Sequence, residues 1–228
     1  MRGAAGLRRF RGYGAGVGKE DRVRFDLDAG VRYGLAYSGG VDSCCLLAAL
    51  LREGYDVKAY TVVSDFQLER DVADAAAVAQ QLGAAHETIA LDIWHGHDDV
   101  LANGPDRCYR CKYAVFSTVL AHMRADGRTV LLDGTNASDR PERRPGFRAM
   151  RELGVVSPLR DAGLSKDDVR ALSRGLGLPT ADKPSFSCYA VHVDEGRRIT
   201  RDSLAHARSR MAEDAMVAYG VQACERKG

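Results

Sequence analysis

The 228-residue sequence has no apolar run that approaches the roughly 18–20 residues of a membrane span, so no membrane partner is expected. No secretory h-region follows its start, and the expectation is a cytoplasmic protein. An excess of one charge is also missing. With 33 basic against 31 acidic residues and a formal net charge of +2, nothing draws the whole molecule toward nucleic acid. No repeat of solenoid length occurs. The glycine-rich stretch near residue 40 lacks the Lys-Ser/Thr pair of a Walker loop, which excludes that phosphate site. What is present is a 45% hydrophobic chain, long enough to bury a core as one domain with an appendage.

The chain is organised around Ser38-Gly39-Gly40-Val41-Asp42-Ser43. The run 33–37 enters this stretch as a buried strand, and 44–51 leaves it as a helix that Gly54 ends. Paired glycines let backbone approach an anion, and the helix N-terminus adds unpaired N–H donors, so a phosphate is the natural occupant. Ser38 and Ser43 offer hydroxyls, and Asp42 can hold Mg²⁺ or cap the helix. Downstream, 57–63 reads as a second strand ending at Ser64, 69–82 as a helix, and 86–91 as a third strand. Residues 92–105 read as a loop over the site, in which His95 and His97 read as solvent-exposed residues in preference to a pair of metal ligands. A helix from about Cys108 to Met123 precedes a fourth strand at 129–132, which delivers Asp133-Gly134-Thr135-Asn136 to the same sheet edge as the glycine loop. Residues 155–159 read as a fifth strand, and Ser165-Lys166-Asp167-Asp168 as a capping box. A last helix is expected from about Asp202. Strands alternating with helices imply a doubly wound parallel five-stranded α/β sheet whose ligand lies beyond the C-terminal strand ends. The domain boundaries expected are a basic arm at 1–24, a nucleotide-binding domain at 25–182, and a cysteine loop with a short helical C-terminal region at 183–228.

Six cysteines in such a protein point to metal or catalysis before disulfides. Cys44 and Cys45 lie among leucines and alanines and read as small buried hydrophobes. Cys108 and Cys111 form a Cys-x-x-Cys pair at a helix start, where the helix terminus lowers a thiol pKa. Cys188 stands in an ordered loop far along the chain. Three thiolates are too few for a closed zinc site, but suit an iron–sulfur cluster with one open iron, a sulfur relay, or no shared site at all.

The Ser38–Ser43 stretch resembles the PP-loop of ATP pyrophosphatases. Together with Asp106-Arg107-Cys108-Tyr109-Arg110-Cys111-Lys112, Asp133–Asn136, Arg144-Pro145-Gly146, Ser157-Pro158-Leu159 and Lys183–Cys188, it resembles the ATP-dependent sulfur transferases of nickel-pincer cofactor assembly. The match runs from about Val31 to about Thr200. It implies an adenine nucleotide alpha hydrolase-like fold and an enzyme that adenylates a carboxylate of a pyridinium dicarboxylate mononucleotide or a related acid. AMP and pyrophosphate leave, and sulfur replaces oxygen. In one-cysteine members the residue at Cys188 gives up its own sulfur; three-cysteine members, whose pattern this sequence matches, are thought to carry it on a [4Fe-4S] cluster held by Cys108, Cys111 and Cys188. Expected nucleotide contacts are Ala36, Ser38, Gly39, Gly40, Asp42, Ser43, Ser64, Gly134, Thr135, Asn136 and Arg144, with Mg²⁺ on Asp42 and pyrophosphate charge neutralised by Lys183.

Two departures stand out. Tyr189-Ala190-Val191-His192 follows Cys188 where the family carries Leu-Ala-Ser-Arg. Only Arg226 and Lys227 stand near the end in place of an Arg-x-Arg stretch that grips the substrate phosphate. Alternatives to a sulfur transferase are another PP-loop enzyme, forming an amide or thiolating tRNA, and a degenerate AMP-binding protein. No glutaminase-like domain fits in the length, and a tRNA enzyme would want a broader basic face. The expected partner is a small carboxylate, with homo-oligomerisation left open.

Overall fold

The computed structural model describes residues 23–140, 145–184 and 187–211, with the Arg70 side chain outside the description. The expectations for residues 1–22, for Arg144, for Ser185 and Phe186, and for everything beyond 211, including Arg226 and Lys227, lie outside the described residues.

Four parallel strands, β1 (Tyr33–Ala36), β2 (Val57–Val63), β3 (Ala85–Ala90) and β4 (Val130–Asp133), form one sheet in the order β3-β2-β1-β4. Register places Leu35 of β1 opposite Ala59 on one side and Leu132 on the other. β1 is a continuous apolar run and β2 buries five of its seven residues because helices cover both faces of the sheet there, whereas β3 at the edge buries only Ile89. On one face pack α1 (Val41–Arg52), α2 (Glu69–Gln81) and α7 (Lys166–Gly175); on the other lie α4 (Arg107–Ala125) and α5 (Gly146–Glu152). Val23 and Phe25 join the first of these cores.

The chain steps from β1 outward through β2 to β3, then returns to place β4 on the other flank of β1. Connections leaving β1 and β4 therefore diverge, and a crevice opens between them where ligands of such sheets bind.

The expected fifth strand is not one. Val156 makes a single parallel bridge to Leu132, its N–H donating to Leu131 O and its carbonyl accepting from Asp133 N, both at 2.9 Å. Pro158, which has no N–H for a ladder, then opens the short helix α6 (Pro158–Asp161). Residues 92–105 are likewise more than a loop. They contain α3 (Asp98–Leu101) and bury Ile93, Val100 and Leu101. These pack with Phe66, Ala190, Val193, Ile199, Leu204 and Ala207 in a third core, built around a 3₁₀ turn (Tyr189–His192) and a helix over 201–211, α8. None of residues 92–105 lines the main cavity, so this segment does not cover it.

Candidate active site

Gly40 is the N-cap of α1 and no side chain caps the helix, so its first N–H groups face the crevice. The loop is braced from within: Ser38 Oγ lies 3.1 Å from Ser43 Oγ, the Ser38 N–H donates to Ser43 Oγ at 3.3 Å, and Ser43 Oγ donates to Gly40 O at 3.2 Å. Gly39 adopts φ +71°, and a Cβ there would stand 2.6 Å from Asp71 O and 2.7 Å from Ala75 Cβ, because the start of α2 presses on the loop. Gly134 has the same need from the other side. A Cβ on it would lie 2.8 Å from Ser43 N, so β4 delivers its tetrad directly against the N-terminus of α1.

Asp42 does not cap the helix, and both of its carboxylate oxygens have partners. Its Oδ2 accepts from Lys166 Nζ at 2.6 Å, and its Oδ1 accepts from Asn136 Nδ2 at 3.0 Å. In this arrangement a cation, the Lys166 ammonium, already stands on the carboxylate expected to hold Mg²⁺. Lys183, at the lip of the loop, pairs with Asp71 at 2.8 Å and Asp74 at 2.6 Å and points toward Gly39 O at 3.4 Å. Asp133 accepts from Thr135 Oγ1 at 2.5 Å and Ser157 Oγ at 2.6 Å.

A cavity of about 780 Å³ opens beyond these groups. Ala36, Ser38, Gly40, Asp42, Ser43, Gly134, Thr135, Asn136 and Lys183 line it, and so do Cys111 and Cys188. An apolar wall of Tyr60, Val62, Val115, Phe116 and Val119 completes it. Ser64 does not reach it, since its N–H and Oγ both donate to Gln67 Oε1, and Gly39 lies behind the lining. Two cations that sequence reasoning missed also line the cavity. Lys166 is the first residue of α7, placed by the capping box. Lys112 sits with its ammonium 5.1 Å from the Phe116 ring centroid and no acidic partner among the described residues. The only signal for either was adjacency to a motif already read, Ser165–Asp168 for one and the Cys-x-x-Cys pair for the other.

Cys108 is exposed, and Arg107 Nη2 donates to its sulfur at 3.4 Å. Cys111 is pushed up to about 12, by burial first and then by the neighbouring Cys188 and Cys108 thiols. This reverses the expectation of a lowered thiol pKa at a helix start: Cys111 stands a turn inside α4, against the third core, and desolvation outweighs the helix terminus. Burial raises Cys188 as well, against an opposing hydrogen bond from the Val191 N–H. The three thiols are thus neighbours, yet among the described residues no group of three His, Cys, Asp or Glu side chains is arranged to hold a metal ion. Cys44 and Cys45 are buried in the core as expected, Cys44 beside the Tyr37 hydroxyl at 3.2 Å. His95 is exposed and pairs with Asp92 at 2.6 Å.

Residues 31–150 match the model of a family of unknown function, DUF7411. An uncharacterized protein of Synechocystis is 38% identical over 75% of this chain and 63% of its own length. The pyridinium-3,5-bisthiocarboxylic acid mononucleotide synthase of Lactiplantibacillus plantarum is 32% identical over 76% of this chain and 63% of that enzyme, which bears out the resemblance drawn from the motifs. A tRNA-specific 2-thiouridylase of Azorhizobium caulinodans is 33% identical over 76% of this chain and 54% of its own length. The chain therefore spans 63% or less of these relatives. NMN synthetase from Francisella tularensis superposes with a TM-score of 0.56 at 17% identity, covering 78% of this chain and 84% of that one, which shows a shared α/β fold.

Proposed function

The chain belongs to that family of unknown function, and on this premise we propose that it is an ATP-dependent sulfur transferase acting on a small carboxylic acid. One observation carries this: Cys111 and Cys188 line the same cavity as Ser38, Gly40, Asp42 and Ser43. A phosphate on the α1 N-terminus would thus share one cavity, apolar along one wall, with these sulfurs. In the proposed reaction a substrate carboxylate oxygen attacks the α-phosphorus of ATP and pyrophosphate leaves. The Cys188 sulfur, its proton lost to solvent, then displaces AMP from the acyl adenylate to form an enzyme thioester, and elimination at Cys188, with loss of the Cα proton and cleavage of the Cβ–S bond, releases the thiocarboxylate and leaves dehydroalanine. The α1 N–H groups hold phosphate oxygens, Thr135 and Asn136 bound the nucleotide, and the ammonium groups of Lys166 and Lys183 offset the charge that develops on pyrophosphate. Mg²⁺ would enter with ATP as its counter-ion.

Incubation with Mg·ATP and a panel of mono- and dicarboxylates tests the reading. AMP release that depends on one acid, with a thiocarboxylate found by mass, is the expected result; AMP release with no acid dependence would overturn it. The 2-thiouridylase relatives make tRNA the second acceptor to include, and thiolated tRNA in place of thiocarboxylate would favour that alternative. Anaerobic purification separates the sulfur sources. Brown protein with iron and labile sulfide supports a cluster, and colourless protein that loses one sulfur from Cys188 supports sacrifice.

A further inference from the structure

The segment after Cys188 is clasped by polar side chains from the start of α4 and the turn before it. Asn103 adopts φ +56°, is 0% exposed, and stands at the turn that leads into α4. Its amide Nδ2 donates to three carbonyls of one stretch: Val193 at 3.3 Å, Asp194 at 2.8 Å and Arg197 at 2.9 Å. Its Oδ1 accepts from Arg107 Nη1 at 2.5 Å, and the same Nη1 donates to Ala190 O at 2.8 Å. The second arm of that guanidinium reaches Cys108 Sγ. Gly196 N–H donates to Asn103 O at 2.9 Å, closing the clasp through backbone.

We propose that Asn103 and Arg107 are positioning residues that hold the segment following Cys188 against the cysteine-bearing start of α4, and so set the spacing of the three sulfurs. Here one amide and one guanidinium have their donors spread over carbonyls at 190, 193, 194 and 197, and the guanidinium ends on a sulfur. Networks of this kind specify one arrangement, because a half-made version leaves buried polar groups without partners. The Arg107 charge also opposes the burial that raises both the Cys111 and the Cys188 thiol. The inference rests on the reading that these sulfurs act at one site.

Full-length protein carrying Cys108→Ser and Cys224→Ser leaves Cys111 and Cys188 as the reachable pair. Dibromobimane, which fluoresces strongly only after alkylation by two thiols, should bridge them. Arg107→Gln should slow bridging about ten-fold or more, a factor of ten being 1.4 kcal/mol, while ATP affinity by calorimetry stays within about two-fold. Arg107→Lys, keeping one donor, should fall between. Asn103→Gly tolerates the positive φ but lacks the amide, and it should behave like Arg107→Gln. Failure of the parent to bridge, bridging unchanged in both variants, or ATP affinity lost in step with bridging would each overturn the proposal. A parent that bridges yet makes no thiocarboxylate leaves it standing and removes the sulfur-transfer reading alone.

Discussion

At Asp42 two roles compete, metal ligand and anchor for Lys166, and they predict different chemistry. An ion pair at 2.6 Å, with each partner about a quarter exposed, keeps the ammonium of Lys166 at the mouth of the loop. Asp42→Asn should lower AMP formation about 10²–10³-fold, the usual scale for one lost electrostatic contact at a reacting centre. If Asp42 serves as anchor, added Mg²⁺ brings no relief, and Lys166→Met gives a similar defect that does not add to the first. Recovery at high Mg²⁺ would return Asp42 to the metal. Cys111 yields a second test at this scale. Its folded pKa lies near 12, above the roughly 8.5 of an unfolded chain, so its contribution to stability is complete below about pH 8.5 and is lost as pH rises toward 12. Carboxamidomethylation of Cys111, followed by peptide mass, should therefore keep rising through about pH 10; a plateau by about pH 9 would reveal a stabilised thiolate. The glycines, serines and cysteines of this site were legible in sequence because each acts through local backbone or its own chemistry. The Lys166–Asp42 pair was not, since its members lie 124 residues apart and only the fold brings them together.

Elements show the same division between local and distant causes. The capping box at α7 is as the pattern indicates: Ser165 Oγ accepts from the Asp168 N–H at 3.2 Å, and Asp168 Oδ2 accepts from the Ser165 N–H at 2.9 Å. Four adjacent residues carry all of that information. Residues 155–159 misled because Val155 and Val156 have strand propensity, whereas the outcome turns on Pro158 and on how much of the β4 edge remains to pair. Residues 92–105 misled for the opposite reason. Their glycines and Pro105 hide Ile93, Val100 and Leu101, whose burial depends on a partner segment about a hundred residues later. Since α7 packs on α1 and begins with Lys166, its cap matters to the site as well as to stability. Ser165→Ala should cost about 0.5–2 kcal/mol. For a chain of this length that is roughly 1–8 °C in Tm, with ATP affinity weakened alongside. A melting curve unchanged within error would mean that α7 is held by packing alone.

For the whole molecule the open issue is whether the C-terminal segment is a separate unit, as the boundary expected at residue 183 implies. Its apolar side chains argue for integration. Ile199, Leu204 and Ala207 are buried together with Phe66 from the end of β2 and with Ile93, Val100 and Leu101 from the segment after β3. Each side of that third core is incomplete without the other. A few fully buried aliphatic side chains, at about 1.5–3 kcal/mol each, amount to a large share of a net stability of roughly 5–15 kcal/mol. The segment also carries Cys188 to the cavity wall, so separating it would leave the nucleotide loop facing solvent instead of sulfur. Leu204→Ala, a cavity-forming change at 2% exposure, should cost about 2–5 kcal/mol. If the chain is one cooperative unit, calorimetry will show a single transition displaced downward by roughly 4–20 °C, with bound ATP raising the midpoint of variant and parent alike. Two transitions, with only the one insensitive to ATP moved by the substitution, would establish the segment as an independent module. The approach of Cys188 to Cys111 would then be set by docking between modules and not by a shared core.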